Sequence, residues 1–249
     1  MIRAFVFDLD GTLVETEELK ALSYARAATE LRPDLNEGEV VAAFGDLVGL
    51  SRREVAVCLM RRFGLEEAAQ PRMAEFSVGT PWQAYVQVRL GIYEKMLGEP
   101  ELIVEHHYPH NIALLRSVRR EGFPTALATQ SHREQALRVL GFLGLADEFD
   151  VVVTRDDVEH GKPDPEMHLL AARELEVQPG ECLAIEDSPA GVSGALAAGA
   201  AVIAVTTRLT RQKFRDDPGL LDRSHIVDDP RTLPEVVHRL IGAVGKPPE

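Results

Sequence analysis

Four short segments carry residues that do chemistry together only if the chain folds them into one place. Asp8 and Asp10 stand two apart at the end of the apolar run Phe5-Val6-Phe7. On an extended strand that spacing points both carboxylates to one side, where they repel. A divalent cation relieves the repulsion, and Mg2+ takes a few carboxylates together with water and phosphate oxygens. Glu186 and Asp187 end a second apolar run, so two strand ends offer four acids, a cluster that is costly without a cation. Thr129, Gln130 and Ser131 follow a third run and open a helix, and the free N–H groups and dipole of a helix start suit an anionic phosphate. Lys162 sits in His160-Gly161-Lys162-Pro163-Asp164-Pro165, where the following proline keeps its backbone extended and fixes a positive charge beside the acids. Each segment also has a plain reading: a polar strand end turning at Gly11–Thr12, a turn residue at Asp187, a helix cap at Ser131, an exposed loop lysine at Lys162.

The elements that must position these residues are legible in the pattern. Short runs rich in Val, Ile and Phe predict strands at Arg3–Leu9, Thr125–Thr129, Val151–Thr154, Cys182–Glu186, Ala201–Val205 and, more weakly, His225–Val227. They alternate with helical stretches from Ile112 onward, which predicts an α/β fold of βα units around a parallel sheet. Ser131 with Glu134 predicts a capping box, Asp164–Pro165 and Ser188–Pro189 predict caps before first-turn prolines, and Gly199 fits a helix end. Residues 18–97 show helix-period stretches and no convincing strand, so they predict an all-helical insert forming a separate lobe. Trp82 and Tyr85 read as packing inside that lobe, and Arg61–Arg62 and Arg119–Arg120 as solvated helix faces.

Composition excludes several classes of function. The 249 residues carry 27 Lys plus Arg against 40 Asp plus Glu, a formal net charge of −13. That balance repels phosphate backbones and no basic run overrides it, so no general nucleic-acid binding is expected. The longest nearly apolar run, Ala195–Val205, is far short of the ~20 residues of a membrane helix, and no membrane association is expected. Cys58 and Cys182 are the two cysteines; they need no disulfide scaffold and suit a reducing cytoplasm. His106, His107 and His110 have a spacing open to zinc, but no nearby Cys or Asp completes a four-ligand set. Nothing in the sequence points to a protein partner.

Phe7-Asp8-Leu9-Asp10-Gly11-Thr12-Leu13, Thr129 after Leu127-Ala128, Gly161-Lys162-Pro163-Asp164-Pro165 and Glu186-Asp187-Ser188-Pro189-Ala190-Gly191 resemble, in order and spacing, the four motifs of the haloacid dehalogenase-like hydrolases. The branch resembled most is that of β-phosphoglucomutase and the sugar phosphatases. The resemblance implies a Rossmann-like core at residues 1–17 and 98–249 with a parallel sheet, and an inserted all-helical cap domain at 18–97. It implies a Mg2+-dependent phosphatase acting on a small phosphorylated metabolite, a sugar phosphate above all, through an aspartyl-phosphate. In that scheme Asp8 is the nucleophile and Asp10 the acid and base. Asp8, Asp187 and the backbone carbonyl of Asp10 hold Mg2+, with Glu186 in or next to that shell. Thr129, the Gln130 N–H and Lys162 hold the transferring phosphoryl.

The same resemblance implies substrate contacts from Lys20, Gly49, Arg52 and Arg89 in the cap and from Ser131 and His132 at the rim. Arg52 lies in Gly49-Leu50-Ser51-Arg52-Arg53-Glu54, where Ser51 and Glu54 also read as a capping box. Lys20 stands where many branch members carry a histidine linked to mutase chemistry, and His110 where a glycine is usual. A β-phosphoglucomutase-type phosphomutase and a metabolite-binding protein without turnover are the competing expectations.

Overall fold

The computed structural model describes residues 1–47 and 51–243. The chain forms two compact units, Met1–Glu15 with Ile103–Glu249, and Thr16–Leu102.

The first unit is built on six parallel strands: β1 (Ala4–Phe7), β2 (Thr125–Ala128), β3 (Val151–Val153), β4 (Cys182–Glu186), β5 (Ala201–Val205) and β6 (Ile226–Val227). Their order across the sheet is β3-β2-β1-β4-β5-β6. Such strands are buried on both faces, which is why they read as unbroken apolar runs. Alternation sorts their side chains. Ala4 and Val6 join Ala126, Ala128, Ala184 and Ala204 in one core, a face of small residues on which helices Glu166–Glu174 and Pro189–Ala198 pack. Phe5 and Phe7 are stacked at 6.2 Å, and meet Phe123 and Phe149 edge-on at 5.2 and 6.3 Å.

The strand order decides where a ligand fits. From β1 the chain winds outward through β2 to β3, then returns to the other side of β1 as β4. Ligands of open α/β sheets bind beyond the carboxyl ends of the strands at such a reversal. Phe7 pairs with Leu127 on one side and Ile185 on the other, so the residues that follow these three strands emerge together.

Every predicted strand is present, most of them shorter than the apolar run. β1 ends at Phe7 and β2 at Ala128, because Asp8 and Thr129 leave the ladder after one more bond each, Asp8 N–H to Ile185 O and Thr129 N–H to Val153 O, both 3.0 Å. Asp8 and Asp10 therefore do not share a strand face as their spacing predicts. The chain turns between them, with Leu13 and Val14 N–H groups donating to Leu9 O and Gly11 at φ +84°.

The predicted caps divide. Ser188 Oγ accepts the Gly191 N–H at 3.1 Å and Gly199 closes the same helix. Asp164 Oδ1 accepts the Glu166 N–H at 2.9 Å. The Ser131–Glu134 box does not form. Helix Arg133–Phe142 starts after His132, and its first free N–H, on Arg133, donates 2.9 Å to Asp156 Oδ2 in the 3-10 turn Arg155–Asp157 after β3.

The second unit is helical: Thr16–Leu31, Glu37–Gly45, Arg52–Phe63, two short helices, and Pro81–Met96. Tyr24, Phe44, Leu59 and Tyr85 are central to its core. Tyr85 Oη donates to Tyr24 O at 2.8 Å, and Trp82 is partly buried against the same core, so both aromatic residues serve packing. No helix of the described residues is long and apolar enough to cross a membrane. Cys58 and Cys182 are both free thiols.

Candidate active site

At the ends of β1 and β4, Asp8, Glu186 and Asp187 are buried with ligand atoms all within 4.8 Å of one another. Two glycines make room for them. A Cβ on Gly11 would overlap the Asp187 carboxylate, and a Cβ on Gly191 would overlap that of Glu186. The Gly11 turn is held from outside as well: Asn111, 3% exposed, donates from Nδ2 to Thr12 O at 2.6 Å. Beyond the turn, Val14 bridges to His107, and Tyr108 N–H donates to Leu13 O at 2.9 Å.

Lys162 reaches this group from the loop before helix Glu166–Glu174. Its Nζ donates to Asp8 Oδ1 at 2.7 Å and Ala128 O at 2.8 Å, and lies 2.7 Å from Glu186 Oε1. It is a buried cation between two buried acids, not an exposed loop lysine. Burial pushes its ammonium down, and Asp8 and Glu186 outweigh that and hold it charged. Burial likewise penalises the Glu186 carboxylate, which Lys162 nonetheless keeps below its usual range. For Asp8 burial prevails: with Glu186 and Asp10 nearby, and against the pull of Lys162, its carboxyl is pushed up to about 7. One ammonium does not satisfy this group. Neither oxygen of Glu186 accepts an aligned hydrogen bond. Three buried carboxylates with ligand atoms within 4.8 Å of one another, two oxygens of Glu186 among them without an aligned donor, are the donor set a hard divalent cation takes.

Asp10 belongs to a second arrangement. Its Oδ2 accepts from Ser131 Oγ at 2.7 Å and Thr129 Oγ1 at 3.1 Å, so its carboxylate is turned toward the end of β2. Thr129 Oγ1 in turn accepts the Ser131 N–H at 3.1 Å. The hydroxyl expected to cap a helix thus holds an acid, while Thr129 supports the turn. Gln130 is exposed, with Nε2 3.4 Å from Lys162 O. His132 is exposed and its Nδ1 meets Asp156 at 2.7 Å.

In the helical unit, Lys20 pairs with Glu17 at 2.6 Å. Arg52 is exposed in the first turn of helix Arg52–Phe63, and the Ser51–Glu54 box before it is complete, with bonds of 3.3 and 2.8 Å. Arg89 is 5% exposed; Nε donates to Ser23 Oγ at 2.8 Å, and the guanidinium lies over the rings of Tyr24 and Tyr93 at 5.0 and 4.3 Å. Burial lowers its pKa. Gly49 lies outside the described residues. Of the three clustered histidines, none joins the metal-capable group; His107 Nδ1 turns to Val104 O.

The haloacid dehalogenase-like hydrolase family model matches residues 2–199. This chain belongs to that family. It is 34% identical over 203 residues to hexitol phosphatase A of Escherichia coli (strain K12), covering 82% of each chain. It is 29% identical over 208 residues to β-phosphoglucomutase of Bacillus subtilis (strain 168), covering 82% of this chain and 83% of the relative. A solved hydrolase of the same family from Deinococcus radiodurans R1, with bound phosphate and sodium, shares the fold with a TM-score of 0.72 over 96% of both chains, at 23% identity.

Reasoning from the sequence missed three side chains: Asn111, which holds the Gly11 turn, Asp156, which caps helix Arg133–Phe142 from afar, and His168, whose Nε2 lies 3.3 Å from Glu186 Oε1. Nothing local marks them; each acts on a residue remote in the chain.

Proposed function

We propose that this protein is a Mg2+-dependent phosphatase of small phosphorylated metabolites, sugar or polyol phosphates foremost. The observation that carries the reading is the buried group of Asp8, Glu186 and Asp187, under-compensated by Lys162, at the sheet's point of reversal. These residues fit a divalent cation, held by Asp8, Asp187, Glu186 and the backbone carbonyl of Asp10. When bound, the cation neutralises charge on the phosphate oxygens.

Asp8 attacks phosphorus through a carboxylate oxygen while the ester oxygen departs with a proton from Asp10. Water, giving its proton back to Asp10, then attacks phosphorus, breaks the bond to Asp8 and releases inorganic phosphate. The two acids are suited to different work. Lys162 keeps Asp8 oriented, and the hydroxyls of Thr129 and Ser131 keep Asp10 at the end of β2, where a carboxyl that exchanges a proton is wanted. Lys162 and Thr129, with the Gln130 N–H, are assigned to the transferring phosphoryl group; Ser131 and His132 are assigned to substrate. Lys20, Arg52 and Arg89 give the helical unit the charge that an oxygen-rich or anionic substrate calls for.

The 34% identity to a hexitol phosphatase supports hydrolysis of polyol and sugar phosphates. The 29% identity to a β-phosphoglucomutase supports a second reading, transfer of phosphoryl back to sugar. Phosphate release is measured over hexitol phosphates, hexose 1- and 6-phosphates, phosphoglycolate and nucleotides, with Mg2+ and with excess chelator. Metal-dependent release from the sugar and polyol esters is expected. Interconversion of hexose 1- and 6-phosphates faster than release establishes the mutase, and full activity in chelator overturns the metal assignment.

A further inference from the structure

Helix Glu166–Glu174 sends one histidine into the core of the sheet unit. His168 has 2% of its side chain exposed, while Met167, Ala171 and Ala172 beside it belong to the apolar layer on the sheet. A polar ring so placed is costly unless a partner compensates it. Nδ1 has no hydrogen-bond partner. Nε2 lies 3.3 Å from Glu186 Oε1, at an angle short of an aligned hydrogen bond. A carboxylate repels the ring's lone pair and attracts its N–H, so the tautomer carrying the proton on Nε2 fits this contact.

Glu186 has few other restraints. Lys162 Nζ is 2.7 Å from the same Oε1, but it also serves Asp8 and Ala128 O. On its other side the carboxylate lies against the backbone of Gly191, where a Cβ would overlap it. Gly191 gives room and no donor from a side chain. Lys162 alone would let the carboxylate follow the ammonium; a second donor from a helix, on a short rigid ring, fixes its plane.

We propose that His168 is a positioning residue: through its Nε2–H it sets the orientation of the Glu186 carboxylate and thereby the affinity of Asp8, Glu186 and Asp187 for a divalent cation. The proposal rests on reading those three acids as a Mg2+ site. Polar groups held against metal ligands orient them, and their loss weakens metal binding as well as turnover.

The test is Mg2+ binding by isothermal titration calorimetry, without substrate, to the wild-type protein, His168→Phe and His168→Gln, each with its folding checked by circular dichroism and thermal melting. His168→Phe fills the space and lacks the donor; it is expected to weaken Mg2+ binding roughly 10-fold or more, and His168→Gln, whose amide N–H has similar reach, to recover it to within about threefold. At saturating Mg2+ the substrate KM of both variants should stay near that of the wild type. A folded His168→Phe protein that binds Mg2+ as the wild type does overturns the proposal and leaves His168 a packing residue. Equal weakening in both variants overturns it too, since the donor would then not be the cause. Absence of Mg2+ binding by the wild-type protein overturns the metal reading and the proposal with it. Should His168→Phe fail to fold, His168→Met replaces it under the same criteria.

Discussion

Asp8 and Glu186 share one ammonium in a buried space, and every substitution there acts on charge balance as well as on chemistry. Asp8→Asn removes the assigned nucleophile and one charge while keeping shape. Phosphate release is expected to fall by at least about a thousandfold, with the fold retained and the metal-free protein no less stable in a thermal melt. A residual rate within tenfold of wild type, in a folded protein, would contradict covalent catalysis by Asp8. Gly191→Ala tests the space rather than the charge. Its new Cβ has to displace the Glu186 carboxylate, so Mg2+ binding measured by calorimetry is expected to weaken about 10-fold or more, although no ligand atom has been removed. Unchanged binding would mean that Glu186 can yield without loss and does not hold the cation.

At the scale of elements, helices are anchored by different means, and the difference is measurable. Helix Pro189–Ala198, which follows the two acids of β4, is capped by its own Ser188. Ser188→Ala is expected to lower stability by about 1 kcal/mol, read as a small fall in melting temperature. Helix Arg133–Phe142 depends instead on Asp156, whose carboxylate meets Arg133 N–H and His132. These bonds hold the Asp156 carboxyl below its usual range, so whatever stability it lends is present above its ordinary pKa and fades as pH falls through the depressed value. The same helix contains Gly141, where an added Cβ meets nothing within 4 Å. Gly141→Ala should therefore stabilise by about 0.4–1 kcal/mol, read as a rise in melting temperature.

The whole molecule couples cation, proton and stability. In the metal-free protein burial pushes Asp8 up to about 7, far above its ordinary 3.8. An acid whose folded pKa is raised is penalised when ionised: its full contribution to stability is present below its unfolded pKa and is lost as pH rises through the folded one. For Asp8 that window runs from 3.8 to about 7. A cation favours the ionised form, so Mg2+ binding should release a proton near pH ~6 and almost none near pH ~8.5. Calorimetry in two buffers of different protonation enthalpy reads this release; its absence at the lower pH would contradict the raised Asp8. Mg2+ at about a hundred times its Kd should also add about 2.7 kcal/mol to stability, with a smaller gain for Asp8→Asn.

The sequence by itself determined the strands, because a parallel strand buried on both faces needs an unbroken apolar run, and an acid ending such a run is conspicuous. Thus Asp8, Glu186 and Asp187 stood out, as did Ser188 and Gly199 at the ends of one helix, where the device is local. The motifs also led to the family. Tertiary structure decided which strand lies beside which, and with it every contact that spans the chain. Lys162 meets Asp8 across 154 residues, Ser131 meets Asp10 across 121, and Asn111 meets Thr12 across 99. That is why Ser131 reads as a cap in the sequence yet holds an acid in the fold. It is also why Asp10 parts from Asp8: a two-residue spacing implies a shared face only while the strand continues, and this strand ends at Phe7. His168 lies in a helix of ordinary apolar periodicity, and only the packing of that helix on the sheet brings its ring to Glu186.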